Sequence, residues 1–282
     1  MNSQSDVKKL IGVISGKGGV GKSTLSVNLA IALSRMGKRV IILDADFGLA
    51  NVEVMLGIRP QHNLADLMFR GKELKDIITE GPEGVGFISG GSGIQELSRL
   101  TRDQVIYLVQ KLYELDELAD IILVDTGAGI ADTVLEFVSA SNEVLVVATP
   151  EPTSITDAYA LLKTLNRKSD FVKENTSIRM VANRIKDAEE GENLHQKLSV
   201  VVEKFLNIKV EYLGGILNDA NCQKAVMQQD PVMLSFPNSN TASAIQKIAA
   251  KLIDVQLDND DKSGIAHLFN RWMKTIYKKK KG

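Results

Sequence analysis

The 282 residues include a single cysteine, Cys222. One thiol cannot close an intramolecular disulfide or build a multi-cysteine zinc site, so Cys222 reads as a buried or half-buried small hydrophobe. The three histidines, His62, His195 and His267, are scattered, with no pair at metal-ligand spacing. No apolar run reaches the roughly 18 residues that a membrane-spanning helix needs. The opening stretch Met1-Asn2-Ser3-Gln4-Ser5-Asp6 is polar, and no secretion signal fits it. A soluble, intracellular protein is expected. The net charge of −1 supplies no global basic field, so no nucleic-acid partner is expected. There is no internal repeat. The chain is 44% hydrophobic and 24% charged, the balance of an ordinary globular protein able to bury a large core. Its length allows one α/β domain or two smaller units.

The most informative stretch is residues 10–24. Leu10, Ile11, Val13 and Ile14 make a short apolar run, read as a buried strand. Gly16-Lys17-Gly18-Gly19-Val20-Gly21-Lys22-Ser23 then fits G-x-x-x-x-G-K-[ST], the P-loop. The glycines let successive backbone N–H groups turn around a phosphate where side chains would collide with it. Lys22 supplies a point charge for the β- and γ-phosphates, and the Ser23 hydroxyl, followed by Thr24, suits Mg²⁺. A helix is expected from Ser26 to Met36 on Val27, Leu29, Ala30, Ile31 and Leu33, ended by Gly37. Its positive end points at the anion. A glycine-rich turn that binds nothing would not need both the buried strand before it and the helix after it.

Lys17 is not required by an ordinary P-loop. With it the pattern becomes K-G-G-x-G-K-[ST], which resembles the deviant Walker A of the MinD/ParA ATPases. That resemblance implies that Lys17 reaches across a dimer interface to the partner's nucleotide. The plain alternative is a solvated surface lysine.

Further along, Lys38 to Leu43 reads as a second buried strand, ending in Asp44-Ala45-Asp46-Phe47-Gly48-Leu49-Ala50-Asn51. Ligands bind beyond the carboxyl ends of strands in open α/β sheets. The stretch is similar to the D-x-D-x-G-L-x-N switch of MinD-type proteins, which implies that Asp46 positions the attacking water. Asp44 reads equally as a loop acid or a helix cap. Short helices are expected over residues 51–56, 64–69 and 74–78, punctuated by Gly57, Pro60 and Gly71. A short strand is expected over 85–89, then an amphipathic helix over 101–115.

Asp120 to Asp125 is a hydrophobic strand ending in aspartate, the shape of a Walker B, with Asp125 holding Mg²⁺ through water. The run D-T-G-A-G-I over residues 125–130 has Gly127 where the family more often has proline. It looks like the flagellar branch, the flagellar-number regulators of the FlhG (YlxH, FleN) group. Strands are expected over 143–149, 178–182 and 212–217, and helices over 155–165, 193–206 and 241–255. Glu151 either meets a partner subunit or complements a helix dipole. By resemblance Asn183 reads adenine through its amide, and Asn218 stands where the family's P-x-D loop closes over the base. The guanine signature N-K-x-D is not met by Asn183-Arg184-Ile185-Lys186.

Residues 256–263 form an acidic linker. In residues 264–282, Ile265, Leu268, Phe269, Trp272, Met273 and Ile276 fall on one helical stripe, followed by a lysine cluster at 278–281. This reads as an amphipathic membrane anchor for an anionic surface, the alternative being a terminal helix docked on the core. The expected fold is thus a three-layer α/β P-loop NTPase with a mostly parallel, doubly wound sheet over residues 1–255, then the linker and the anchor. The resemblance implies an ATP- and Mg²⁺-dependent homodimeric ATPase at the inner face of the cell membrane that regulates flagellar number. It also implies partnership with the signal-recognition-type GTPase FlhF and with flagellar C-ring proteins. No D-Q-A-x-x-L-R motif precedes the first strand, so the resemblance does not extend to activation of that GTPase. Other readings are a division-site MinD, a ParA-type DNA partitioner, and a metabolic or metal-cluster P-loop protein. The last is opposed by the lack of paired cysteines.

Overall fold

The computed structural model describes residues 9–46, 51–91, 114–129, 141–168 and 176–253, with Lys111, Leu135, Val138, Ser139 and Phe171. Strands β1 (Lys9–Ile14), β2 (Val40–Ala45), β5 (Ile121–Thr126) and β6 (Glu143–Ala148) are buried along their whole length. Each is a near-continuous apolar run, as a strand covered on both faces must be. β3 (Ile78–Glu80), β4 (Gly86–Ile88), β7 (Ser177–Ile185) and β8 (Glu211–Leu217) complete an eight-stranded sheet in the order β3-β4-β2-β5-β1-β6-β7-β8. Every neighbouring pair is parallel except β3 with β4. The mostly parallel, doubly wound sheet expected from the sequence is the one observed.

The two-residue period of the strands sorts the core into layers. Ile11 and Val13 of β1, Val40 and Ile42 of β2, and Leu145 and Val147 of β6 face one side. There they meet α1 (Lys22–Arg35), α2 (Asn51–Leu56), α8 (Ala220–Gln228), α9 (Val232–Ser235) and α10 (Asn240–Ile253). Ile14, Val144, Val146 and Met180 face the other side, against α6 (Pro152–Asn166) and α7 (Ala188–Leu206). Leu10, Ile41, Leu43 and Val124 meet α3 (Leu64–Phe69), α4 (Leu74–Ile77) and α5 (Leu115–Leu118) on that same side of the sheet. Each fully buried Leu, Ile or Val contributes roughly 1.5–3 kcal/mol relative to exposure. Cys222 is half-buried and packs on the first cluster, as a small hydrophobe does.

Several boundaries differ from the sequence reading. β2 starts at Val40 rather than Lys38 and runs on through Asp44 and Ala45, because its pairing with β5 continues to Thr126. Residue 78, expected as the end of a helix, opens the antiparallel β3. α7 starts at Ala188 rather than Asn193. Its polar first turn is held by the Asp187 side chain, which accepts from the Glu190 N–H at 2.8 Å, and not by apolar periodicity. α8 and α9 were not expected. α8 buries only Ala225, so its sequence shows no apolar stripe. Phe47–Ala50 of the first switch, most of the helix expected over 101–115, and the boundary at 255 with the linker and tail beyond it lie outside the described residues.

Candidate functional site

β1 ends at the carboxyl edge of the sheet and delivers the glycine-rich loop there. Gly16 is pressed on the opening turns of α6: a Cβ on it would stand 2.2 Å from the Asp157 carbonyl carbon. Gly19 (φ +75°) faces open space, so its torsion, not crowding, calls for glycine. Gly21, the residue before α1, has φ +92° and offers no side-chain cap. The first turn of α1 carries no acid either. Its orphan N–H groups and dipole are thereby left for an external anion.

Lys22 is almost fully buried, and its Nζ lies 3.1 Å from Asp125 Oδ1 at the end of β5. Ser26 Oγ lies 2.9 Å from the same oxygen. Ser23, expected to hold Mg²⁺ together with Asp125, is half-buried, and the hydroxyl on the Asp125 carboxylate is that of Ser26. Ser26 follows Lys22 by four residues, one turn along the same helix face, and that spacing is the signal by which it could have been found. Asp125 Oδ2 is buried with no hydrogen-bond partner. A cation beside the phosphates would satisfy it, so the residues present fit Mg²⁺. Among the described residues no group of three or more His, Cys, Asp or Glu gathers as a metal site.

Asp44 is buried and accepts N–H bonds at Oδ1 from Asp46 (3.0 Å) and at Oδ2 from Asn51 (3.1 Å) and Val52 (3.3 Å). Of the two roles open to it from sequence, it takes the cap, on the start of α2. Burial first, and the nearby Asp125 second, push its carboxyl up to about 7 against the pull of those hydrogen bonds. Asp46 is half-buried and receives Asn51 Nδ2 on Oδ2 at 3.2 Å. Asn51 was not singled out as a site residue in the sequence. The segment after β5 also approaches the P-loop. Ala128 Cβ would lie 3.8 Å from a Cβ on Gly18, and the Gly129 N–H donates to Ser15 O at 3.4 Å.

Lys17 forms an ion pair with Glu151 and donates to Thr153 Oγ1 at 3.2 Å. Within one chain it is therefore a paired lysine at the surface, its side chain still 38% exposed. Glu151 precedes α6 without capping it and takes Lys17 instead, a partner not among those expected for it. The lysine beside it holds its carboxyl below the usual range. Asn183, near the end of β7, donates Nδ2 to Val20 O at 2.7 Å, and its Oδ1 accepts the Arg184 N–H at 2.9 Å. Its amide is thus tied to the P-loop, which places it at the rim of the site. Asn218 is exposed, and its N–H donates to Ile185 O at 2.8 Å. Asp46, Asp125, Lys17, Lys22, Asn183 and Asn218 all stand at the carboxyl edge of the sheet. The stripe from Ile265 to Ile276 lies outside the described residues.

The family model described as ParA, NUBPL iron-transfer P-loop NTPase, matches residues 6–253. The chain belongs to the ParA/MinD family of P-loop NTPases. It is 44% identical over 244 residues to the antiactivator FleN of Pseudomonas aeruginosa, covering 86% of each chain. It is 34% identical over 274 residues to the flagellum site-determining protein YlxH of Helicobacter pylori, covering 95% of this chain and 90% of that one. Among solved structures, the septum site-determining protein MinD of Pyrococcus horikoshii, complexed with Mg-ADP, has the same fold. Its TM-score is 0.71 at 24% identity, over 87% of this chain and 96% of that one. As a member of the ParA/MinD family the chain is an ATPase. The buried lysine on a strand-end aspartate, beside an uncapped helix start, is the arrangement such chemistry requires.

Proposed function

We propose that this chain is an ATP-dependent, dimerising switch that regulates flagellar number or placement at the membrane surface. The observation that carries the flagellar part is its 44% identity to FleN over 86% of both chains. The backbone from Gly16 to Thr24 receives the phosphates, with Gly18, Gly19, Val20 and Gly21 forming the turn. Lys22 leaves or shares Asp125 to meet the transferring phosphoryl group. Ser23, Asp125 and Asp46 supply oxygens towards Mg²⁺, which neutralises phosphate charge when bound. Asp46 orients the attacking water. Asn183 in β7 and Asn218, just past the end of β8, flank the base.

Lys17 serves the site of a second subunit. To do so it must first leave Glu151, so dimerisation and the loss of that ion pair are one event. Two chains closing over two ATP molecules make the ATP state dimeric, and hydrolysis separates them. The basic amphipathic stretch 264–282 supplies membrane affinity, which pairing doubles into avidity. Among the described residues no helix is long and apolar enough to cross a membrane. By the same resemblance, an FlhF-type GTPase and flagellar C-ring proteins are the partners. Iron transfer, named in the family description, is disfavoured, because one cysteine per chain cannot chelate a cluster.

The test is Asp46→Ala. It should retain ATP binding, lose turnover and remain dimeric with ATP at micromolar protein; a monomer under those conditions removes the switch. For the tail, liposome flotation of a chain ending at Val255 decides: ATP-dependent flotation that persists rejects the anchor.

A further inference from the structure

The segment Thr126-Gly127-Ala128-Gly129 holds two glycines for two different reasons. Gly129 has φ +96°, and a Cβ there would meet nothing within 4 Å, so its torsion calls for glycine. Gly127 is not among the positive-φ glycines, so no left-handed torsion calls for glycine there. A Cβ on Gly127 would instead stand 3.3 Å from Asp46 Oδ1, 3.4 Å from Cγ and 3.7 Å from Oδ2. The three nearest atoms it would meet all belong to the Asp46 carboxylate.

We infer that Gly127 is a positioning residue for hydrolysis: its missing side chain is the seat in which the Asp46 carboxylate rests. The inference depends on the reading of Asp46 as the water-orienting acid. Two features keep the seat from simply moving away. β2 and β5 are paired in register up to Ala45↔Thr126, so Asp46 and Gly127 are the next residues of two strands whose separation the sheet has fixed. On the other side Asn51 Nδ2 holds Asp46 Oδ2, and the buried Asp44 holds the Asp46 N–H. A methyl group added at 127 must therefore be absorbed by the carboxylate, which shifts by a few tenths of an ångström. Groups that orient a reacting water are sensitive on that scale, since misplacement by about 1 Å can cost about 100-fold. The contacts of this segment with the phosphate-binding loop are made by Ala128 and Gly129, and none of the three atoms nearest a Cβ on Gly127 belongs to that loop.

The experiment uses the full chain with Gly127→Ala. Its kcat for ATP should fall about tenfold with KM for ATP within about twofold, the signature of a group that acts only in the transition state. Single-turnover hydrolysis in the Asp46→Ala background, followed over hours, should show almost no further loss from Gly127→Ala. If Gly127→Ala leaves kcat unchanged, or raises KM instead, while Asp46→Ala abolishes turnover, this inference is wrong and the role of Asp46 stands. A further tenfold loss in the Asp46→Ala background also overturns it, because the glycine would then act through something else. If Asp46→Ala turns over at the wild-type rate, the role of Asp46 falls and the inference with it. Thermal melting shows whether Gly127→Ala folds. Should it not fold, a crystal structure of the unaltered chain with Mg-ADP decides: Asp46 packed on the Gly127 Cα supports the seat, and Asp46 turned away refutes it.

Discussion

Replacing Lys22 with Met keeps the aliphatic stem and removes the charge. The ammonium lies 3.1 Å from an Asp125 carboxylate that is fully buried, and Lys22 itself is only 7% exposed. Stripping one partner from such a buried pair leaves an uncompensated charge and costs about 3–5 kcal/mol. For a domain of this size about 2–4 °C of melting temperature goes with each kcal/mol, so a loss of about 6–20 °C is expected at pH 8. The pH dependence adds a second, independent check. The Asp44 carboxyl sits at about 7 in the folded chain, against about 3.9 when unfolded. Between those values the folded chain holds a proton that the unfolded chain has released. Stability therefore falls as pH rises through that window, by about 4 kcal/mol in all. Without Lys22 the Asp44–Asp125 repulsion is unopposed, so the deficit should be largest at pH 8 and shrink towards pH 5.5, where Asp44 holds its proton. The double variant Lys22→Met/Asp125→Asn strands no charge and should recover most of the loss. Calorimetry without added nucleotide reads all three chains, since bound ligand would mask the comparison. A Lys22→Met chain that melts within about 2 °C of the unaltered one at pH 8, or with the same deficit at both pH values, refutes the reasoning.

Three other substitutions probe the frame of the site. Gly16→Ala drives a Cβ to 2.2 Å from the Asp157 backbone, which cannot yield as a side chain can; titration with a fluorescent ATP analogue should show affinity down at least about tenfold, and unchanged affinity would mean that the loop does not rest on α6. Asn183→Ala removes the 2.7 Å bond to Val20 O and should raise KM for ATP several-fold with kcat largely kept; steady-state kinetics showing the reverse pattern would assign Asn183 to the chemical step. Phe87→Ala in β4, where Phe87 is fully buried, should cost about 3–5 kcal/mol by urea unfolding, and a loss below about 1 kcal/mol would show that the sheet margin collapses around the cavity.

How much of this was readable from the residues follows from the range of each interaction. The buried strands and α1 were legible because their apolar runs are local, and Gly57, Pro60 and Gly71 marked the ends of α2 and α3 nearly to the residue. The P-loop and Asp125 were legible because phosphate chemistry fixes residue types at fixed spacing. The short β3 was not, since three residues carry no period, and it pairs only because Gly86–Ile88 lies alongside it. The same limit applies to the site. That Asp44 caps α2, that Ser26 lies on Asp125, and that Lys17 has Glu151 in its own chain are contacts set by folding. Ser26 and Asp125 are 99 positions apart. Asn51 could have been noticed, because it closes the same switch segment as Asp46, but its hydrogen bond to that carboxylate depends on the turn into α2.

The two margins of the sheet bear on crowding. At one margin β3 offers only three residues, running against its neighbour. At the other, the register of β8 slips at Leu213, and the Lys251 ammonium occupies that residue's carbonyl at 2.8 Å. A short strand and a bulged, lysine-guarded one are poor templates for adding a foreign strand. Copies of the chain at high local concentration are thereby discouraged from fusing edge to edge into aggregates.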